Sequence, residues 1–265
     1  MNEGVTCFCP TYLRSPYPLE EALWCFLQQD YEGPKELFIS NDDPDIELVF
    51  DHPDVTIVNH PKRFTTVYTK INEDRNNSKY EFIMNWADDD LFAPWAIKTA
   101  LKHWKKNKNP FVCFHPHFKM HPNGYAHMRD ILPGYTMVTK EVWKKCGGYP
   151  VEMMNDATQQ IGNDRYIYHI IKLMGLYGQQ KIPDDEIYYC WRFSKNFKWK
   201  RKSWSNQDKE KFKIKDRTPK VIKLEPKLST DFAPFGFKDG NSQSSRSSRI
   251  SDSWRRRKNK PKMLS

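Results

Sequence analysis

The sequence predicts an α/β protein: a mainly parallel sheet flanked by helices, followed by a basic, partly disordered tail. Three observations carry that expectation. Short β-prone runs alternate with helical patterns over the first hundred residues, the order from which a parallel sheet with helices on both faces is built. The chain has 265 residues, enough for one substantial α/β core and an extension. The composition then shifts near residue 193. Residues 193–265 hold 22 Lys and Arg against 7 Asp and Glu, whereas the rest of the chain holds 21 against 26.

The elements follow from periodicity. Val5–Cys9 is a β-prone run that stops at Pro10. Leu19, Ala22, Leu23, Phe26 and Leu27 recur at helical spacing and predict a helix over 18–29. Strands are expected at 36–40 and 55–58, a helix at 65–76, and a strand at 81–86 that ends at Asp88, Asp89 and Asp90. Ile97, Ala100, Leu101 and Trp104 share one side of a helix over 94–105. Strands are expected at 111–114 and 134–138, and a helix from Lys140 to Cys146 closes at Gly147 and Gly148. A helix over 163–174 and a strand over 187–191 complete the pattern. The expected domain runs over 1–192, a basic extension with aromatic residues over 193–237, and a disordered basic tail over 238–265.

Net charge is +10, concentrated at the C-terminal end. Such an end suits a polyanion, either nucleic acid or an anionic membrane surface, or is simply a solvated tail. Lys and Arg interleaved with Phe197 and Trp199, and the basic run at 255–258, fit phosphate contact and base stacking. The six cysteines form no CxxC pair, so they are expected as reduced thiols. The first residues lack a basic segment with a long apolar run, and no stretch of about 18 apolar residues occurs. A cytoplasmic protein without signal peptide or membrane span is the expectation.

Three polar clusters lie at expected strand ends: Thr11–Tyr12, Asn41–Asp43 and Asp88–Asp90. In open parallel sheets ligands gather at those ends. If the strand continues through the triplet, Asp88 and Asp90 share a face; if the triplet sits in a turn, any two of the three carboxylates can work together. Carboxylate oxygens suit a hard cation such as Mn2+ or Mg2+. The alternative is a turn of helix-capping acids. His115, His117, His121 and His127 tempt a zinc reading, but no Cys or Glu completes a tetrahedral set at motif spacing.

Several motifs then occur in a telling order. PTYLR (10–14) is followed by a helix LEEALWCFLQQ (19–29), SNDDP (40–44), ADDDL (87–91), a strand and helix ending in GGY (134–149), and GNDRY (162–166). The series resembles the family 2 glycosyltransferases of the GT-A fold over about residues 4–192. The resemblance implies transfer of a sugar from a nucleotide-sugar, in particular a UDP-sugar, to an acceptor hydroxyl with inversion. It implies that Thr11 and Tyr12 line the nucleotide pocket and that Asp42 bonds the base edge, with Asp43 the second candidate. Asn41 stands where the family often has an Asp. Asp88 and Asp90 would hold ribose and the divalent metal, and Arg192 would clamp a phosphate beside Trp191. Arg63 and Arg75 are further candidates for base or diphosphate. Asp164 would be the general base, with Asn163 replacing the usual acidic neighbour and Asp156 as fallback. The acceptor is open among glycan, lipid, protein and DNA, and a non-catalytic nucleic-acid-binding relative of the same fold is the reading from another class.

Overall fold

The computed structural model describes residues 3–12, 16–107, 109–121, 124–128, 136–149, 170–192 and 218–228. The described residues belong to one unit, Met1–Ser229. Asp156, Asp164 and most of the basic extension lie outside the described residues, and the helix expected over 163–174 is described only at 170–173.

The first strand, β1 (Val5–Thr11), alternates Phe8 on one face with Cys7 and Cys9 on the other, and all three are buried. It is therefore a central strand, covered on both sides. Helix α1 (Pro16–Leu27) leads to β2 (Lys35–Asn41), which pairs in parallel with β1 so that Thr11 lies opposite Asn41. A short β3 (Ile46–Val49) precedes β4 (Val55–Asn59), which pairs in parallel with β2. The chain then crosses back through α2 (Val67–Arg75) to β5 (Phe82–Asn85), on the other side of β1. That reversal makes the crevice between the ends of β1 and β5 the topological switch point, the usual ligand site of an open α/β sheet.

Beyond β5 come β6 (Leu91–Phe92), α3 (Ala96–Lys106), β7 (Phe111–His115), β8 (His117–His121), β9 (Gly124–Met128), β10 (Thr136–Thr139) and α4 (Lys140–Lys145). The last described strands are β11 (Tyr177–Lys181), β12 (Tyr189–Arg192) and β13 (Lys220–Lys223). The main sheet has the order β11-β7-β10-β5-β1-β2-β4, with β10 antiparallel to both neighbours. A second sheet, β6-β12-β8-β9, lies against the triplet, and β13 pairs in parallel with β3.

Side-chain parity sorts the helices onto two faces. Phe8, Phe38 and Ile83 pack with Tyr68 and Ile71 of α2 and with Val142 and Trp143 of α4. On the opposite face Phe82 meets Trp104 of α3 edge-on, and Trp86 meets Phe26 of α1. Trp86 is fully buried, stacks on Phe92 at 3.8 Å and donates its indole N–H to the Ala22 carbonyl. Helix α4 opens on Thr139, whose hydroxyl accepts from Val142 N, and closes through Gly147 and Gly148. Both glycines have positive φ, and their N–H groups return to Lys144 and Trp143 carbonyls, a Schellman closure that other residues adopt only with strain.

The fold class matches the sequence expectation. The sequence reading missed β3, β6, β11, β13 and the β8–β9 hairpin, where the histidine-rich stretch had suggested no strand. All six cysteines are free and five are buried; burial pushes the Cys25 thiol up to about 12. Among the described residues no helix is long and apolar enough to cross a membrane.

Candidate active site

The three polar clusters sit on one edge of the sheet, at the C-terminal ends of the adjacent parallel strands β5, β1 and β2. Strand β5 ends at Asn85, and Asp88 and Asp89 lie in a turn with Asp90 at its exit. The alternation argument for Asp88 and Asp90 therefore does not apply: without an extended backbone, neighbouring parity no longer sets side-chain direction. Tertiary partners set it instead.

Asp88 turns toward β1. The Thr11 hydroxyl donates to its Oδ2 at 2.8 Å, joining the ends of β1 and β5 across the switch point. Asp90 is held from β12. Its Oδ1 accepts the Arg192 backbone N–H at 2.8 Å and its Oδ2 accepts the Tyr189 hydroxyl. Because β6 follows directly and pairs with Tyr189 and Cys190, the turn is pinned on both sides. All three carboxylates are buried. Burial, then the neighbouring Asp89 charge, pushes the Asp90 carboxyl up to about 7.

Arg192 is also buried. Its Nε donates to the Asp89 carbonyl and its Nη1 pairs with Glu21 of α1, which is itself fully buried. The guanidinium thus ties the triplet turn to a helix. Trp191 is half-buried, with the Lys119 ammonium 4.7 Å from its ring centroid.

The β2 cluster forms a second group. Asp42 is fully buried; its Oδ1 accepts from Lys70 Nζ at 2.6 Å and its Oδ2 from Phe64 N at 3.1 Å. Asn41 and Asp43 shape the following turn, accepting from Asp43 N and Asp45 N. Next to Phe64, the Arg63 guanidinium lies 3.7 Å from the centroid of the Tyr12 ring and donates to its hydroxyl at 3.0 Å. Arg75, the other arginine singled out in the sequence, stacks on Trp143 at 4.1 Å and donates to Asn85.

Lys70 was missed by the sequence reading. It lies wholly inside, donating to the Thr11 carbonyl at 2.8 Å as well as to Asp42. Burial pulls its ammonium below the usual lysine range, and Asp42 pushes it back up. A lysine in a helix with this many polar neighbours gives no sequence signal of burial. The expected base Asp164 lies outside the described residues, so its distance from this edge is not part of the geometry. Of the four histidines, His117 is buried near the Tyr189 ring and His127 lies 3.7 Å from Asp184.

The donor set suits one kind of cation. Among the described residues no three His, Cys, Asp or Glu side chains form a group able to cage a metal. Hard divalent ions of the Mg2+ type are instead held by one or two carboxylates, with phosphate oxygens and water completing the shell. A carboxylate raised to about 7 by burial and then by a neighbouring like charge is the kind of group a cation would compensate. The hydrogen bonds on Asp88 and Asp90 orient these carboxylates, and a carboxylate keeps further lone-pair positions beyond them.

No family model and no curated relative matches the chain. Solved structures do match. S. aureus TarS 1–349 in complex with UDP aligns with a TM-score of 0.55 and 13% identity, over 73% of this chain and 61% of that one. The same TarS fragment in a second crystal structure gives 0.52 and 13%, over 72% and 60%. This chain shares their fold. Longer TarS gives 0.52 and 13% identity, over 73% of this chain and 37% of that one. The chain thus spans about three fifths of the TarS 1–349 fragment, and at this identity the likeness is one of architecture.

Proposed function

We propose that this chain is a nucleotide-sugar-dependent glycosyltransferase of the family 2, GT-A type. It moves a sugar from a UDP-sugar to an acceptor hydroxyl with inversion. The observation that carries the reading is the Thr11–Asp88 hydrogen bond at the switch point. It joins the end of β1, where the nucleotide would lie, directly to an acidic turn that would face the diphosphate. The shared fold with TarS, which was solved with UDP, supports the same reading.

In this proposal the base lies against Tyr12, whose ring Arg63 holds from one side. Asp42 fixes the Phe64 backbone next to Arg63. Asp88 and Asp90 would hold Mn2+ or Mg2+, which would supply charge compensation for a leaving diphosphate. Tyr189 and the Arg192 backbone keep Asp90 aimed, and the Arg192 guanidinium anchors the turn from below. Asp164 takes the proton of the acceptor hydroxyl as its oxygen bonds the anomeric carbon from the face opposite the diphosphate, which leaves with the bonding pair. The acceptor is a hydroxyl on a glycan, lipid, protein or DNA, and the basic extension offers it or its surroundings a polyanion contact.

The test is a thermal-shift screen of UDP-, GDP- and dTDP-sugars with and without Mn2+. Metal-dependent stabilisation by one of them is expected, and it is lost in Asp88→Asn. Absence of any metal-dependent shift sinks the proposal. Mass spectrometry of candidate acceptors after incubation with mixed sugar nucleotides then identifies what is modified.

A further inference from the structure

The geometry points to Lys70 as the positioning residue of the donor site, acting through Thr11 and Asp42 rather than on the donor itself. The inference rests on the donor-site reading above. Its ground is a set of contacts that converge on one buried ammonium. Lys70 Nζ holds the Thr11 carbonyl at 2.8 Å and Asp42 Oδ1 at 2.6 Å, so one side chain of α2 binds the C-terminal ends of both β1 and β2. Each of those partners then holds a second group. The Thr11 hydroxyl fixes Asp88 at 2.8 Å, and the other oxygen of Asp42 fixes Phe64 N at 3.1 Å. Phe64 follows Arg63, which lies on Tyr12. The two halves of the site, acidic turn and base pocket, are thereby tied to the same charge.

A merely structural lysine does not need this arrangement. Apolar side chains in place of both Lys70 and Asp42 would fill the space between α2 and the sheet without the desolvation cost of a buried ion pair, and such paired replacements are often neutral or stabilising. The helix carries its ammonium to where the C-terminal ends of β1 and β2 lie side by side. After Asp42, the Asp88 and Asp74 charges also favour its protonated form. Small displacements of positioning groups are costly to binding and catalysis alike.

The test is isothermal titration with UDP and Mn2+, or GDP and Mn2+ if only GDP binds the wild type. Wild type, Lys70→Gln and Thr11→Val are compared, with thermal unfolding recorded for each. Gln retains an N–H donor, yet carries no charge and is too short to reach both acceptors. The expected result is full stoichiometry with a Kd at least about tenfold weaker in Lys70→Gln. Combining it with Thr11→Val costs less than the two separate losses together, because the first change already releases what the second cuts. Should Lys70→Gln not fold, Lys70→Gln/Asp42→Asn, which leaves no unpaired buried charge, takes its place under the same criteria. A wild-type Kd in the folded variant, whatever its unfolding temperature, overturns the inference, as do strictly additive losses. If the wild type binds no nucleotide, the donor-site reading fails first, and this inference falls with it.

Discussion

Asp88 and Asp90 differ only in where their partners lie, and that difference separates their expected mutant behaviour. Asp88 is held by a hydroxyl from β1, so Asp88→Asn should fold normally and lose metal-dependent nucleotide binding, measured by titration. Burial, then the Asp89 charge, pushes the Asp90 carboxyl up to about 7, against about 4 for an unfolded carboxylate. A folded pKa above the unfolded value means that the folded state holds the proton more tightly. The corresponding stability is therefore fully present below about pH 4 and is lost as pH rises toward about 7. Metal-free wild type should lose more melting temperature between about pH 5 and about pH 7.5 than Asp90→Asn does. Equal losses would show that Asp90 is not the group responsible. Arg192 makes a third case. Its pair with Glu21 is buried on both sides, so Arg192→Met should destabilise the fold by about 3–5 kcal/mol by leaving Glu21 unpaired. Chemical denaturation measures this directly.

At the scale of elements, the sequence was most legible where periodicity was strong. The apolar stripes of α1 and α3 and the alternation in β1 marked elements that the structure places within a few residues of expectation. It was least legible where a strand is defined by its neighbours. Strand β11 reads YGQQK and has no apolar alternation; it is a strand because β7 offers it a free parallel edge. Strand β13 is similar: Val221 is 58% exposed, and the pairing comes from the open side of β3. The segment after β13 anchors the basic extension to the domain. Leu224 is buried, Leu224 N donates to Val49 O, and Glu225 N donates to Glu20 of α1. Leu224→Ala is expected to cost about 2–5 kcal/mol by emptying a buried site. Val221→Ala, at an exposed position, should stay within about 0.5 kcal/mol. A reversed order in denaturation midpoints would mean that the segment does not dock as described.

For the molecule as a whole, the sequence by itself determined the fold class and the edge of the sheet on which the three polar clusters gather. Hydrophobic alternation reports which side chains face the core, and helices between parallel strands put the strands' C-terminal ends on one edge. Thr11, Asp42 and Asp88 could thus be placed on one edge before any coordinate was known. The tertiary structure decided what each of them touches. Thr11 and Asp88 are separated by 77 positions, and Tyr189 and Asp90 by 99. No local pattern encodes such pairings, because they depend on how separate elements pack. The same holds for Lys70. In sequence it is one basic residue among many, and in the fold it is a fully buried cation between two strand ends. Direction also escaped the sequence for a physical reason: β5 stops at Asn85, and once the backbone leaves the strand, contacts rather than parity aim the carboxylates.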